Sequence, residues 1–539
     1  MAIKSNNLIL SNAMIYGHPQ ANAIVINNGK IVYIGKDAAP YYSYNSEIID
    51  LEQSYIMPGF IDNHNHVFEA ASEAGGNCEL NINFPLEAHI PTLKRCRNQS
   101  PSTGWIISYG FALDAILTPN NHYTPLEVID RIFPDQPIVI MEQTSHSMWV
   151  NSAALEIANI TNASPDPQGG KILKDPLTGK LNGILLDNAG DIVMEMAWNH
   201  LDNPFNQSYD GLINGLKEAS MNGITTIGDG RLYWKRGWFD VWQQVEKDNK
   251  LTARVSLRPW IYPTVPMATQ LNFLKQIQSN DTSGLLLTNQ VKLYSDGLIS
   301  NGTAKIIEPY KQTYIPENPN GINYIPPHKM RTWLTELDKI GYSAHIHAIG
   351  DKAVRESLNA IEHIRQQGSK KPYTLTHLEL VNHLDIPRFN HLNVTADFQV
   401  GSHYIAQNDH QWAIPYLGRK RAHALMDPQA IFNTGANMTL SSDWDVNPIN
   451  PLVGIANSLK MGSRGLPDIH SAIDAYTINA AKSLGISDIT GSLTVGKSAD
   501  LVILENDITR LAIDDIANTP ILMTILQGNI VYDIDDSFF

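Results

Sequence analysis

The chain has 539 residues, of which 43% are hydrophobic and 17% are charged. This length suits a large core with an accessory domain, and the composition excludes a mainly disordered chain. The formal net charge of −15 argues against non-specific binding to nucleic acid or to an anionic membrane surface. The 18 histidines are a reason to search for clusters, because imidazole is the commonest metal ligand.

Targeting and redox signals are weak. The segment 1–10 has one lysine and no long apolar run, and no part of the sequence approaches the ~20 continuous apolar residues of a membrane span. We therefore predict a soluble, cytoplasmic protein with no membrane partner. The two cysteines, Cys78 and Cys96, are too few for a thiolate zinc site, and we predict no disulfide framework.

Both ends of the chain contain short β-type segments separated by turn residues. Asn28-Gly29 is the signature of a tight type I′ hairpin. We predict that residues 1–57 and 490–539 meet in one composite β-sandwich domain. The predicted strands are residues 7–16, 23–27, 30–34, 500–504, 521–526 and 529–532.

The middle of the chain alternates β-type runs with helical patterns, such as those over 329–340 and 353–366. Repeated βα units predict a parallel sheet, and their number favours a closed (β/α)₈ barrel of the TIM type over an open sheet. We assign residues 58–489 to this α/β barrel. The candidate strands are residues 137–141, 224–227, 254–257, 291–294, 343–347, 373–377, 394–398 and 438–441.

Residues 70–222 do not fit simple βα repeats. They include 166–183, whose turn residues and flanking β-type runs predict a strand-turn-strand excursion. We predict an insertion here that covers the mouth of the barrel. Active sites of such barrels lie at the C-terminal ends of the strands, so chemically useful residues are expected there.

Histidines occur at several predicted strand ends. His64 and His66 follow the apolar run 56–61, and residues two apart on a strand point to the same side, where both could bind one metal. The alternative is a polar loop that happens to hold two histidines. His345-x-His347 repeats the pattern and His377 ends another run, although each of these could also be a hydrogen-bonded core histidine.

Lys292 and Asp443 each allow two interpretations. Lys292 lies in a β-rich run, where an unpaired ammonium is costly to bury, so it either pairs with a carboxylate such as Asp296 or is carbamylated and bridges two metals. Asp443 follows an apolar strand and either caps a helix or binds metal and takes a proton from water. Imidazole and carboxylate ligands without thiolate favour Zn, Mn or Fe.

Seven segments, in order, resemble the amidohydrolase superfamily, and more narrowly amidohydrolase family 3, the branch that contains N-substituted formamide deformylases. The resemblance covers essentially the whole chain. It implies a metal-dependent hydrolase that acts on an amide or formamide-like carbon–nitrogen bond of a small molecule. The segments are 57–66, 145–155, 291–297, 345–351, 442–444, 477–481 and 491–501.

The resemblance also implies a ligand set for one or two divalent metals, of which zinc is favoured. Lys292, if carbamylated, would bridge the two metals, and Asp443 would be the catalytic proton acceptor. Two positions depart from the family pattern: Thr376 stands where a Glu is common, with Glu379 further on, and Asp445 lies beside Asp443. The implied metal ligands are His64, His66, Lys292, His347, His377 and Asp443.

His146, Gln399 and His403 are candidate substrate-binding residues, although each could instead make a structural hydrogen bond. A deaminase or a metal-dependent decarboxylase is an alternative, because one barrel hosts several chemistries. A non-catalytic scaffold or sensor is a third interpretation, which the intact ligand set argues against. The resemblance is also compatible with a homodimer.

Overall fold

The computed structural model describes residues 7–71, 78–100, 104–118, 121–402, 405 and 410–535, and within them the strands form five sheets. The strands are β1 (Leu8–Ser11), β2 (Met14–Ile15), β3 (Ala23–Asn27), β4 (Lys30–Gly35), β5 (Glu47–Asp50), β6 (Tyr55–Pro58), β7 (Phe60–Asn65), β8 (Ile106–Phe111), β9 (Ile138–Glu142), β10 (Ser147–Val150), β11 (Gly170–Lys174), β12 (Leu181–Asp187), β13 (Ile224–Asp229), β14 (Arg254–Ser256), β15 (Leu286–Leu287), β16 (Gln290–Tyr294), β17 (Ser343–Ala348), β18 (Tyr373–His377), β19 (Val394–Gln399), β20 (Met438–Ser441), β21 (Leu501–Leu504), β22 (Ile521–Leu526) and β23 (Asn529–Asp533).

Helices connect most of the parallel strands, and the two predicted over 329–340 and 353–366 are confirmed with small shifts of their ends. In the described part of the chain, none of the helices is both long and apolar enough to span a bilayer. The α-helices are Val67–Ala71, Ile90–Gln99, Leu113–Ile116, Pro125–Ile132, Ser152–Ile157, Asn188–Trp198, Pro204–Met221, Trp238–Lys247, Met267–Ile277, Pro327–Lys339, Asp351–Gln366, Ile386–His391, Ile414–Leu417, Arg419–Ala422, Pro428–Phe432, Pro451–Lys460, Ile469–Ala475, Ile478–Leu484 and Ile513–Ile516.

The chain ends form two sheets, with the strand orders β4-β3-β1-β5 and β2-β6-β21-β22-β23. β21 pairs antiparallel with β6, so residues from both ends share one sheet. Asn28 and Gly29 have φ angles of 48° and 74°, which confirms the predicted type I′ turn. The predicted strand 7–16 is divided, because β1 joins the first sheet and β2 joins the second. Apolar side chains of both sheets pack into one cluster.

A separate sheet of order β11-β12-β10-β9-β8 lies within the region predicted as an insertion. β11 pairs antiparallel with β12, which confirms the strand-turn-strand prediction for 166–183. The segment 137–141, taken as a candidate strand of the parallel barrel, is β9 and belongs to this sheet instead. That prediction was wrong because an apolar β-type run carries no information about which sheet it joins.

Two parallel sheets carry the candidate ligands, with the orders β15-β14-β13-β7 and β16-β17-β18-β19-β20. Trp260, beyond the end of β14, forms a parallel bridge with Lys292 on β16. At the other side, the backbone N–H of Asp443, just after β20, donates to the carbonyl of His64 on β7 at 2.8 Å. The C-terminal ends of these strands therefore lie at one edge of the fold.

Cys78 and Cys96 form a disulfide with their Cα atoms 5.5 Å apart. The expectation of no disulfide was therefore wrong. The sequence does not reveal that helix Ile90–Gln99 brings Cys96 against the segment before β8, in an apolar cluster that includes Leu93 and Phe111. Disulfides are rare in reducing compartments, and the predicted cytoplasmic location stays a prediction.

Replacing both cysteines with serine is expected to lower the free energy of unfolding by about 3 kcal/mol, because a crosslink across a loop of this size restricts the unfolded chain. Urea titration followed by tryptophan fluorescence measures the change. Wild-type protein in reductant is the matched control and should unfold like the double variant. A wild-type transition that reductant does not move would contradict the prediction.

Candidate metal centre

The pattern of β17 explains how histidines come to face the interior of the parallel sheets. Ala344, Ile346 and Ala348 belong to the apolar core, and successive residues of a strand point to opposite faces. His345 and His347 therefore share the other face, and both are buried. His64, near the end of β7, is buried as well.

His64, His66 and Asp443 form the tightest part of the site. Nε2 of His64 lies 3.2 Å from Oδ1 of Asp443, and Nε2 of His66 lies 3.1 Å from the same oxygen. Neighbouring donor atoms in a tetrahedral site with metal–ligand bonds of 2.0–2.1 Å lie about 3.3 Å apart. The three side chains thus present their donor atoms at the spacing that one small divalent metal requires.

His347 and His377 lie beside this triad, with ring centroids 4.3 Å apart. Nδ1 of His377 is 3.8 Å from Oδ2 of Asp443. Nε2 of His347 bonds to the carbonyl of Gly297 at 3.2 Å, whereas its Nδ1 has no partner among the described residues. An orphaned, buried imidazole nitrogen is a donor that a metal could satisfy.

Lys292 is buried beneath the triad, with Nζ 3.3 Å from Nε2 and 3.5 Å from Nδ1 of His64. Burial lowers the pKa of Lys292 well below its usual range; Asp443 opposes the shift and Arg231 adds to it. A neutral amine is the form that reacts with CO₂, so the environment suits carbamylation.

The structural roles considered for Lys292 and Asp443, an ion pair with Asp296 and a helix cap, are not found among the described side chains. Asp296 does not pair with Lys292, because its carboxylate accepts the backbone N–H groups of Ile349 and Gly350 at 3.0 and 2.8 Å. Asp443 caps no helix, since the next one, Pro451–Lys460, has Asn450 as its N-cap.

Two of the ligand candidates have unusual backbone geometry. His377 and Asp443 have φ angles of 77° and 55°, in the left-handed region that costs non-glycine residues of order 1–3 kcal/mol. The surrounding hydrogen bonds hold this geometry, including that from the N–H of His66 to the carbonyl of Trp444 at 2.6 Å. Such outliers cluster at functional sites.

Two supporting residues were not in the predicted set. Nε2 of His345 lies 2.8 Å from Nδ1 of His64, so His345 sits one layer deeper and fixes the orientation of that ring. Oε1 of Glu69 lies 3.7 Å from Nδ1 of His66 and 3.3 Å from Nη2 of Arg231. The His345-x-His347 pattern already placed His345 on the same strand face as His347. The only feature of the sequence that indicates Glu69 is its position three residues after His66.

Thr376, the departure from the family pattern, belongs to a deeper polar network. Its hydroxyl donates to Oδ2 of Asp397 at 2.7 Å, and the hydroxyl of Thr439 donates to Oδ1 of the same residue at 2.6 Å. Thr376 therefore supports the interior of the sheet and is directed away from the five His and Asp ligand candidates at the strand ends.

The candidate substrate residues have different environments. Nδ1 of His146 contacts Oδ1 of Asp187 at 2.8 Å, and its ring centroid is 5.1 Å from that of His347. Nε2 of Gln399 lies 2.9 Å from side-chain oxygens of Thr376, Asp397 and Ser441, whereas no described residue donates to its own oxygen. His403 lies outside the described residues.

A cavity of about 450 Å³ opens above the triad. His66, His347, His377 and Asp443 line its floor, and His146 lines its side. Its size suits a small molecule. Buried imidazoles and a carboxylate at the ends of parallel strands, open to such a cavity, are typical of metal-dependent hydrolases.

The family model described as the amidohydrolase family matches residues 47–532, and the chain belongs to this family. It is 26% identical over 508 residues to YtcJ of Bacillus subtilis (strain 168), covering 92% of each chain. It is 24% identical over 542 aligned positions to the N-substituted formamide deformylase of Arthrobacter pascens, covering 95% of each.

The fold is similar to that of an uncharacterized metal-dependent hydrolase from Pyrococcus horikoshii OT3, with a TM-score of 0.71, 22% identity, and coverage of 94% of this chain and 99% of that one. The protein thus has a TIM-barrel-like α/β fold and is an enzyme that hydrolyses carbon–nitrogen bonds with a divalent metal cofactor. The resemblance found from the sequence is confirmed.

Replacing His64 and His66 together with alanine is expected to abolish metal retention, because two of the three donors of the triad are lost. Elemental analysis of protein purified without chelator should find one to two Zn, Mn or Fe per wild-type chain. His363→Ala, at an exposed helical position, is the control and should keep its metal. Equal metal content in all three proteins would place the metal elsewhere.

Proposed function

We propose that the protein hydrolyses an amide or formamide-like bond of a small molecule by attack of an activated water. The observation that carries this proposal is the contact of one carboxylate, Asp443, with two buried imidazoles, His64 and His66, at the floor of the cavity. A single carboxylate in that position is within reach both of a metal and of the reacting atoms.

We assign one metal to His64, His66 and Asp443 and a second to His347 and His377. Carbamylated Lys292 would lie between them, which the low pKa of its amine supports. Zinc is the favoured metal, given imidazole and carboxylate donors without thiolate. When bound, the metal supplies Lewis-acid activation of water and of the scissile carbonyl.

Side chains of the protein would transfer the protons and orient the substrate. Asp443 accepts a proton from the attacking water as the new carbon–oxygen bond forms. It then returns that proton to the leaving nitrogen as the carbon–nitrogen bond breaks, so that the products are an amine and a carboxylic acid. Asp187 accepts the N–H at Nδ1 of His146, which leaves Nε2 to accept a hydrogen bond from an N–H of the substrate.

We also propose that eight of the nine strands of the two parallel sheets, all except the two-residue β15, close into a single (β/α)₈ barrel within residues 58–489. The Trp260–Lys292 bridge and the hydrogen bond from Asp443 to His64 support this closure. The sheets of the chain ends, which share one apolar cluster, would form the β-sandwich of residues 1–57 and 490–539. The sheet β8–β12 would belong to the insertion that covers the barrel mouth.

Asp443→Asn is expected to lower kcat by about 10²–10⁴-fold, the usual contribution of a positioned proton acceptor. Metal content is measured on the same preparation, because the amide oxygen keeps one donor. Asp240→Asn, at an exposed helical position, should leave kcat unchanged. Full activity of Asp443→Asn would assign proton transfer to another group.

A substrate panel is expected to give turnover with N-substituted formamides or linear amides, seen as release of a free amine together with formate or another carboxylate. Ammonia and CO₂ are measured in parallel. Ammonia release from an aminated ring would favour a deaminase, and CO₂ release would favour a decarboxylase. Metal-loaded protein that turns over no member of the panel would count against the proposed reaction.

A further inference from the structure

The cavity above the metal centre has more acidic than basic side chains in its lining. Apart from Asp443, four acidic side chains line it, and Arg231 is the one lysine or arginine among the described lining residues. That guanidinium is already engaged, with Nη2 3.3 Å from Oε1 of Glu69 and Nη1 donating to the hydroxyl of Tyr294 at 3.2 Å. The acidic residues are Asp114, Glu142, Glu379 and Asp445.

Glu142 is a buried acidic side chain in the cavity that has few partners. Its side chain lies at the end of β9 and is 3% exposed. Oε2 accepts the backbone N–H of Thr144 at 2.9 Å and also its hydroxyl, whereas Oε1 has no protein donor in the described part of the chain. No described lysine or arginine lies within 4.0 Å of this carboxylate, although Asp114 and Asp187 both face it.

The pKa of Glu142 reflects this isolation. Burial raises it to about 7, the hydrogen bonds from Thr144 oppose the shift, and Asp114 and Asp187 add to it. A cation in the cavity would offset the cost of burying ionised Glu142 and would reduce its repulsion from the neighbouring carboxylates.

Ser145 provides a second, independent sign of a ligand. It is 7% exposed, it lines the same cavity, and its hydroxyl has no hydrogen-bond partner among the described residues. Buried hydroxyls are normally satisfied, so an unpaired hydroxyl beside this cavity points to a ligand donor. The backbone N–H of Ser145 donates to the carbonyl of Glu142 at 2.8 Å, which closes a tight turn between the two residues.

We propose that Asp114, Glu142, Ser145 and Asp445, here called the acidic wall, bind an ammonium group of the substrate. The inference rests on the proposed function, because it takes this cavity as the place where the carbon–nitrogen bond is broken. The substrate class is then an amide or formamide that carries a second, protonated amine. An ammonium is a donor at three positions, which matches carboxylate and hydroxyl acceptors.

The geometry limits the spacer between the two groups. His146, whose ring lies beside His347, comes four positions after Glu142, and four residue-to-residue steps span at most about 14 Å. Leu298, Ile299 and Met426 line the cavity and offer apolar contacts to a short alkyl spacer.

The first experiment measures binding without catalysis. Metal-loaded full-length protein is titrated by calorimetry with 1,4-diaminobutane and, separately, with 1,4-butanediol. The diamine should bind at least 10-fold more tightly than the diol, and Glu142→Gln should weaken diamine binding at least 10-fold. Glu336→Gln, on an outer helix, is the matched control and should bind as the wild type does.

A thermal unfolding scan checks that Glu142→Gln is folded, and Asp114→Asn, at an exposed position, serves as a second variant if it is not. Equal binding of diamine and diol, or diamine binding that neither variant weakens, would overturn the inference. The latter result would also be expected if the diamine bound the metal through a neutral nitrogen.

A second arm separates this inference from the proposed function. Hydrolysis of N-formyl-1,4-diaminobutane is compared with that of N-pentylformamide, and kcat/KM should be at least 10-fold higher for the cation. Cleavage of both at the same rate would overturn the ammonium site and leave formamide hydrolysis standing. Diamine binding that depends on Glu142, with neither formamide cleaved, would support the ammonium site and count against the proposed reaction.

Discussion

The site depends on one carboxylate held between two buried imidazoles. Burial disfavours ionised Asp443, but the adjacent rings of His64 and His66 hold its pKa well below its usual range. Three metal-binding atoms that converge in this way would be costly to bury without a cation. The left-handed backbone of Asp443 adds conformational strain, which the surrounding structure must offset to keep the three atoms together. The strands, the bridging hydrogen bond from Asp443 to His64, and the cavity floor are all arranged around this contact.

Beneath the ligands the interior of the sheets is polar, which is unusual for a core of this size. His345 supports His64, and Asp397 accepts hydrogen bonds from Thr376, Thr439, Ser441 and Gln399. Arg258 donates to the carbonyl and the side chain of Asn63 on β7 at 2.6 and 2.8 Å. Networks of this kind fix orientation, so the layer below the ligands contributes to their placement.

The ligand candidates could be found from the sequence because strand parity and position are local properties. Each candidate follows or ends an apolar run, and alternation then fixes which side chains share a face. Sheet membership is not local: β9 has the composition of a buried parallel strand, yet it pairs in the sheet of the insertion. The Cys78–Cys96 pair and the depth of His345 also depend on contacts between distant segments. From the sequence, Thr376 replaces a Glu that is common in the family. In the structure its hydroxyl donates to Asp397, so it belongs to the layer that supports the ligands.

The antiparallel pairing of β6 with β21 has a consequence for synthesis on the ribosome. β6 leads directly into β7 and the metal ligands, yet its partner strand lies roughly 440 residues later in the chain. At elongation rates of about 5–20 residues per second, that edge stays open for about 20–90 s. An unpaired, apolar strand edge recruits other strands, so the nascent protein must delay collapse or be shielded for most of its translation.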